Sequence, residues 1–378
     1  MRILHTSDWH LGRSFHREDL LSAQAAYVDH LVATVRDERV DCVLVSGDVY
    51  DRALPGVDAV RLANEALERL AERTRVVLIA GNHDSARRLG FGAGLMDASG
   101  VHLRTDPERV GEPVLVEGVA IYGIPYLEPE LVRADWNLPD RGHPAALGEA
   151  MRRVRADLAG RPGTRSVVLA HAFVTGGEPS DSERDISVGG AAHVPASVFD
   201  GVDYAALGHL HGRQRITERV RYSGSPLAYS FSEADHLKGS WLIDLRPDGS
   251  LGEEFVEAPV PRPLARLRGR LDDLLESPRH DRLTGHWLQV TITDPNRPTS
   301  AMERLRRRFP HTLALSFEPD APDGAAGSRT FAERVRERSH LDIAGDFVAE
   351  VTGTPASEAE SALLHEAFEA FRRKEALR

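Results

Sequence analysis

"VVLIAGNHD", Val76 to Asp84, sets an unbroken apolar run directly against an amide, an imidazole and a carboxylate. A short apolar run of this kind, bounded by turn residues, reads as a strand buried on both faces. Gly81 permits a tight turn, and Asn82, His83 and Asp84 then crowd the end of the strand. Asp and Asn after a strand are ordinary turn formers, and a lone His there is ordinarily structural or solvated. The cluster gains meaning only if the rest of the chain supplies company.

It does. "RILHT" reads as a first strand and runs into "SDWH", with Asp8 and His10. "CVLVS" runs into "GDVYD", with Asp48 and Asp51. "SVVLAH" ends on His171, and "DYAALGHLH" supplies His209 and His211. Helical patterns from Leu20 to Glu38 and from Pro55 to Glu72 separate the first three strands. Glu18 and Asp19 sit at the positive end of the first, and Pro55 near the first turn of the second. Strand–helix alternation implies a layered α/β core, and loops at the strand ends of such a sheet converge on a crevice. The D-x-H and H-x-H spacings put both side chains of a pair on one side of an extended segment. Glycine precedes Asp48, Asn82 and His209, which allows close turns. His5, His16 and His193 fall outside the pattern and read as ordinary residues.

Further along, "PVLVEGVAIYGIPY" reads as a hairpin centred on Glu117-Gly118. "RVRYSG" and "GSWLIDL" are shorter and more polar and read as antiparallel strands. The first domain, residues 1–257, is then two sheets sandwiched between helices. Proline-rich "APVPRPL", Ala258 to Leu264, is a linker into a smaller domain, residues 258–318. That domain reads as strands at 265–268, 287–293 and 312–317 with helices at 272–275 and 301–308. "EPDAPDGAAGS" gives a second linker, residues 319–330, and residues 331–378 read as a helical tail. There Ser357 and Glu360 form a capping box. Leu364, Ala367, Phe368 and Phe371 share one helix face, and Arg372, Arg373 and Lys374 suit the helix end. An upstream helix carries Phe347, Val348 and Val351 and stops at Gly353. After so flexible a linker, the tail reads as a surface for a protein partner.

The 378 residues suit two or three domains. A chain 41% hydrophobic and 28% charged fits a soluble globular protein. No apolar run approaches the roughly 20 residues that span a bilayer, and the start lacks the apolar stretch of a signal peptide. No membrane association and a cytoplasmic location are expected. The single cysteine, Cys42, excludes a disulfide framework and reads as a core thiol. A net charge of −11 argues against a general nucleic-acid coat protein but leaves room for a local basic groove. Arg87-Arg88, Arg152-Arg153 and Arg306-Arg307-Arg308 read as solvated helix faces.

Carboxylate, amide and imidazole donors without thiolate suit manganese, iron or zinc better than magnesium or calcium. One carboxylate can bridge two ions, and a pair about 3.5–4 Å apart clamps the attacking and leaving oxygens of a phosphoester.

"SDWHLG", "GDVYD", "GNHD", "LAH" and "GHLH" resemble the five motifs of the calcineurin-like metallophosphoesterases. Within that superfamily, "YSGSPLAYSFSEAD", the small domain and "FVAEVTG" are similar to the SbcD nucleases, so the resemblance covers essentially the whole chain. It implies a four-layer α/β/β/α sandwich with a small α+β capping domain and C-terminal helices. It implies two divalent ions, manganese first among them. Asp8, His10 and His211 would hold one, Asn82, His171 and His209 the other, and Asp48 would bridge both. His83 would face the scissile phosphate as acid or transition-state stabiliser, with Asp84 orienting it. Archaeal and eukaryotic relatives carry histidine where Asp51 stands, so Asp51 inherits no such role. The resemblance further implies exonuclease and endonuclease action on DNA ends and hairpins in repair and recombination. It also implies an SbcC-type ATPase bound through the C-terminal helices, and a homodimer paired through helices of the first domain. A hydrolase of small phosphoesters such as cyclic nucleotides would use the same site, but it needs no mass beyond Glu257. An idle DNA- or partner-binding scaffold would not need the intact motifs.

Overall fold

Successive residues of the first strands face opposite ways, and both faces are buried. The computed structural model describes residues 1–184, 186, 193–320, 344–345, 348 and 356–376, with side chains of the last helix described through Phe368. Strand β1 is Arg2–Thr6, followed by a small ribbon of β2 (Ser14–Phe15) and β3 (Glu18–Asp19). Helix α1 (Leu21–Asp37) opens with the Asp19 carboxylate accepting the Leu21 N–H at 2.9 Å. Then come β4 (Cys42–Val45), α2 (Val57–Ala71), β5 (Arg75–Ile79), short α3 (Ala86–Leu89) and α4 (Ala93–Asp97), and β6 (Val101–Arg104). Helix α2 starts at Val57 with Gly56 at its cap, so Pro55 lies just outside it. Strands β1, β4, β5 and β6 run parallel.

The second sheet begins with the expected hairpin, β7 (Val114–Val116) and β8 (Val119–Ile124). Helices α5 (Pro129–Asp135) and α6 (His143–Ala159) lead to β9 (Arg165–His171) and β10 (Tyr204–Gly208). Strands β11 (Gln214–Arg215) and β12 (Val220–Tyr222) complete the order β11-β12-β10-β9-β8-β7. Here the structure corrects one expectation: β12, from "RVRYSG", runs parallel to β10 and antiparallel only to β11. The chain reverses after β11, and the return strand slots between β11 and β10. "GSWLIDL" forms β13 (Gly239–Leu245), antiparallel to β1 as expected, and β14 (Leu251–Glu257) closes the order β14-β13-β1-β4-β5-β6.

The alternation of side chains builds the layers. Cys42, Leu44, Val77 and Ile79 face Ile121, Val167, Leu169 and Ala206 between the sheets. Their neighbours Val43, Val45, Val76 and Leu78 face Val28, Leu31, Leu62 and Ala66 of α1 and α2. On the far side, Ala120, Val168 and Ala205 face Leu147, Ala150 and Met151 of α6. The result is the expected four-layer α/β/β/α sandwich. Cys42 is a buried, unbridged thiol whose pKa burial pushes up. His5 lies between the sheets, accepting from the Tyr204 hydroxyl at 2.9 Å and donating to the Leu207 carbonyl at 3.1 Å.

A three-stranded parallel sheet follows, β15 (Leu264–Gly269), β16 (Trp287–Ile292) and β17 (Thr312–Phe317), with α7 (Leu271–Glu276) and α8 (Ala301–Arg308). Leu267, Leu274, Leu288, Val290, Leu305 and Phe309 form its own core. Leu264, Trp287, Leu313 and Ala314 pack on Phe15, Leu227, Tyr229 and Phe231 of the large sandwich. The chain divides into two compact units, Met1–Glu318 and Pro319–Arg378. In the second, α9 (Glu358–Ala376) starts with the capping box: Ser357 donates to the Glu360 carboxylate at 2.7 Å, and the Glu360 N–H reaches back to Ser357 Oγ at 3.3 Å. Leu364 and Phe368 are half-buried. Of the three apolar residues expected on the upstream helix only Val348 is described; Phe347, Val351 and Gly353, and the side chains of Phe371 and the basic run after it, lie outside the described residues. Among the described residues no helix is long and apolar enough to cross a membrane.

Candidate metal centre

The ends of β1, β4 and β5 in one sheet, and of β9 and β10 in the other, open on the same crevice. The backbone there is unusual. Asp8 (φ 53°), His10 (φ 45°), Asp48 (φ 49°) and His209 (φ 103°) all take positive φ, which non-glycine residues rarely adopt. Such conformations collect at functional sites, where surrounding structure enforces them. The enforcement is visible: the Asp8 N–H donates to the Gly47 carbonyl at 3.0 Å and the His10 N–H to the Asp48 carbonyl at 2.9 Å. Two glycines make room. A Cβ on Gly81 would lie 2.1 Å from Asp48 Oδ1, and one on Gly47 would lie 2.5 Å from His171 Nδ1.

All nine residues expected from the sequence lie in or beside this crevice. Asp8, His10, Asp48, His83, His171, His209 and His211 are buried, and Asn82 and Asp84 partly so. Three donor groups each bring their ligand atoms within 4.8 Å of one another: Asp8 with His10 and His211, Asp8 with Asp48 and His171, and His10 with Asp48 and His83. His10 Nε2 and His211 Nε2 face each other at 3.0 Å. Asn82 Oδ1 stands 2.9 Å from His171 Nε2 and 3.1 Å from His209 Nδ1. Asp48 Oδ2 lies 3.6 Å from His10 Nε2 and 3.5 Å from His171 Nε2, so it sits between the two clusters.

The electrostatics fit a divalent cation. Burial, then the charge of Asp48, pushes the Asp8 carboxyl well above its usual range. Two carboxylates buried together require a counter-charge. Burial holds the His10, His171 and His209 imidazoles low, with neighbouring imidazoles adding to the effect in His10 and His209. Neutral rings keep a lone pair for a metal. His171 gives its Nδ1–H to the Ser46 carbonyl at 2.9 Å, which leaves Nε2 as the donor atom facing Asp48 and Asn82. The groups thus suit a divalent metal ion by charge, donor chemistry and orientation.

Contrary to what the resemblance implies, the group that holds His83 is not Asp84. Asp84 accepts the N–H groups of Val49 at 3.1 Å, Tyr50 at 3.0 Å and Gly81 at 2.9 Å. It ties the loop after β4 to the loop after β5, and its hydrogen bonds do not orient His83. Burial and the charge of Asp48 raise its pKa to about 7. The group that meets His83 Nδ1 is the main-chain carbonyl of Asp51, at 2.8 Å. A carbonyl only accepts, so Nδ1 carries the proton and Nε2 is free to exchange one. Asp51's side chain lies 3.7 Å from His10 Nδ1 and 3.7 Å from the Arg13 guanidinium.

The sequence reading missed a second set. Ser182 Oγ lies 2.5 Å from His211 Nδ1, and Glu183 accepts the His211 N–H at 2.7 Å. Glu233 and Lys238 are buried behind them as an ion pair. Burial opposes ionisation of Glu233, but Lys238 and the hydrogen bonding toward His211 outweigh it and hold the carboxyl well below its usual range. Glu233 belongs to the "YSGSPLAYSFSEAD" stretch; "SDSE" at Ser180–Glu183 has no spacing that marks a metal site. The arginine clusters are engaged locally: Arg152 and Arg153 with Glu149, Arg307 with Glu303, and Arg308 with Asp281.

Residues 1–213 match the family model of the calcineurin-like phosphoesterases. Residues 260–352 match SbcD_C, the Type 5 capsule protein repressor C-terminal domain. Among solved structures, the chain is similar to a protein of Thermus thermophilus, with 14% identity over 67% of this chain and 98% of that one and a TM-score of 0.40. An archaeal phosphodiesterase matches with 13% identity over 68% of this chain and 100% of its own, TM-score 0.32. A dimetal phosphatase of Danio rerio matches with 13% identity over 68% and 96%, TM-score 0.39.

Proposed function

The chain belongs to the calcineurin-like phosphoesterase family, metal-dependent hydrolases of phosphoesters, and on that premise we propose that it is a two-metal DNA phosphodiesterase. The observation that carries the reading is the convergence of Asp8, His10, Asp48, Asn82, His171, His209 and His211 on one buried crevice. In this reading Asp8, His10 and His211 hold one ion, Asn82, His171 and His209 the other, and Asp48 both. Divalent ions held there, manganese foremost, would supply Lewis acidity toward water and toward charge on phosphoryl oxygens. The chain supplies the rest. Sheet-end loops fix the donor atoms before substrate arrives, and burial excludes bulk water. His83, its Nδ1–H committed to Asp51, presents Nε2 to hold or deliver a proton at the leaving oxygen.

DNA as substrate is supported by the second domain match, of the SbcD_C type, which a hydrolase of small phosphoesters does not require. We assign residues 1–257 to the hydrolase domain, 258–318 to a cap, 319–330 to a linker and 331–378 to a tail that binds an SbcC-type ATPase in the cytoplasm. The tail reading rests on the capped helix α9 and its Leu364–Phe368 face. A homodimer through the first domain is supported by exposed apolar side chains: Leu54, Val57 and Val60 in one segment, Phe91 and Leu95 in another. Arg88 joins the two segments, donating to the Ala53 carbonyl at 3.2 Å.

The decisive experiment runs a DNA hairpin and a chromogenic phosphodiester in parallel, with Mn²⁺ and with chelator. Metal-dependent hairpin cleavage is expected; cleavage of the small ester alone would move the protein to the small-phosphoester class. Truncation after Ser328 is expected to abolish capture of the ATPase and spare small-ester hydrolysis.

A further inference from the structure

The imidazoles of the crevice are not all held alike. His171 and His83 give their Nδ1–H to main-chain carbonyls, those of Ser46 and Asp51. Among the described residues His211 Nδ1 meets no such carbonyl. Its Nδ1 meets Ser182 Oγ at 2.5 Å, and the same oxygen lies 2.5 Å from Glu233 Oε1. The other oxygen of Glu233 pairs with the Lys238 ammonium. Lys238 then closes the ring on His211 itself, donating to its carbonyl at 2.8 Å and to Ser225 Oγ at 3.0 Å.

Only one assignment of protons satisfies this chain. The Glu233 carboxylate is an acceptor, so the Ser182 hydroxyl donates to it. The serine oxygen can then only accept: Ser180 Oγ lies 3.0 Å from it, and its 2.5 Å contact with His211 Nδ1 requires that nitrogen to carry hydrogen. Nε2 is left with its lone pair, directed at His10 Nε2 3.0 Å away. The direction of the whole chain is set by its far end. Glu233 is 1% exposed and Lys238 7% exposed, and a buried carboxylate beside an ammonium cannot turn into a donor without breaking the pair.

We infer that Ser182, Glu233 and Lys238 are positioning residues for His211: a serine-bridged relay that fixes hydrogen on Nδ1 and aims Nε2 at the metal site. The inference rests on the proposed role of His211 as a ligand. Outer partners of this kind are worth about 10–100-fold in metal affinity. The Ser182 Oγ link to His211 and Glu233 is made of side chains, so Ser182→Ala cuts the relay without removing a main-chain hydrogen bond.

The test is Mn²⁺ binding to the full chain by calorimetry, with no substrate present. Ser182→Ala should weaken one of the two binding events by about 10–100-fold and leave the other unchanged, while Ser182→Thr, which keeps the hydroxyl, should restore it. Wild-type affinity for both events in Ser182→Ala overturns the relay. His211→Ala separates the two readings. If it loses one event while Ser182→Ala loses none, the relay alone fails; if His211→Ala binds as wild type, the ligand assignment fails and the relay with it. A second measurement needs no variant. Long-range nitrogen–proton correlation on the metal-free, histidine-labelled chain should show His211 with hydrogen on Nδ1. Hydrogen on Nε2 overturns the relay outright.

Discussion

Two regions of the crevice hold their side chains by different means, and the division cuts across the second sheet, between β9 and β10. Beyond β4, β5 and β9 the side chains are set by the main chain: Asp84 by three N–H groups, His83 and His171 by carbonyls, Asp48 through the His83 N–H at 2.8 Å. Beyond β10, His211 is set by side chains that come from residues 180–183 and 225–238. Main-chain anchoring is a property of the fold and survives most substitutions. Side-chain anchoring is specific and can be removed one group at a time. The first kind leaves compact motifs; the second scatters its residues along the chain.

The comparison breaks most visibly at Asp48, which stands between the two clusters. Asp48→Ala should abolish binding of both ions, a larger loss than the roughly 100-fold that follows removal of an outer partner. Metal analysis that still finds two ions per chain would end the bridging assignment. His83→Ala should keep both ions and lose about 10²–10⁴-fold in turnover, the usual worth of general acid help. Because His83 also lies within reach of His10 and Asp48, metal and turnover must be measured together. Loss of an ion would make it a ligand, and unchanged turnover would remove it from the chemistry.

Gly81→Ala sharpens the main-chain side of the comparison. Its Cβ would collide with the Asp48 carboxylate, so a destabilisation of about 1–3 kcal/mol is expected together with weakened metal binding. Wild-type melting temperature and metal affinity would mean that the two loops are looser than their hydrogen bonds indicate. The remaining prediction shows only in acid and concerns the joint between the sheets. Burial lowers His5 from 6.5 to about 3. Above pH 6.5 the ring is neutral folded and unfolded, and it takes no part in pH dependence. As pH falls below 6.5 the unfolded chain takes up a proton that the folded chain refuses, so stability is lost progressively until about pH 3. At pH 4.5 that loss is about 3 kcal/mol. Urea unfolding of the metal-free chain at pH 7 and pH 4.5 should show a smaller drop for His5→Gln; equal drops would mean that His5 does not titrate on unfolding.

The layers of the fold were legible because their cause is local. "CVLV" and "RVVLI" are apolar at every position after the first residues, as strands covered on both faces must be, and the hairpin at Glu117-Gly118 and the helix at Ala301–Arg308 carry their own turn and period signals. The direction of "RVRYSG" was not legible. A three-residue strand has the same pattern whichever way its neighbour runs, and only the order of the finished sheet decides. The hydrogen-bond partners of Asp84 were not legible for a related reason. Adjacent in sequence to His83, it points instead into the loop after β4, some 35 residues earlier.

The sequence by itself determined where polar side chains would stand at strand ends, because a strand's apolar run and the break in it are written in consecutive residues. It determined the donor types, and with them the class of metal chemistry. Only the tertiary structure decided which nitrogen of each imidazole is free and what holds it there. Ser182 precedes His211 by 29 residues and Glu233 follows it by 22, and neither interval has any period that a strand or helix would impose. Their meeting depends on two loops being folded against the end of β10, and hydrogen-bond direction passes through space rather than along the chain.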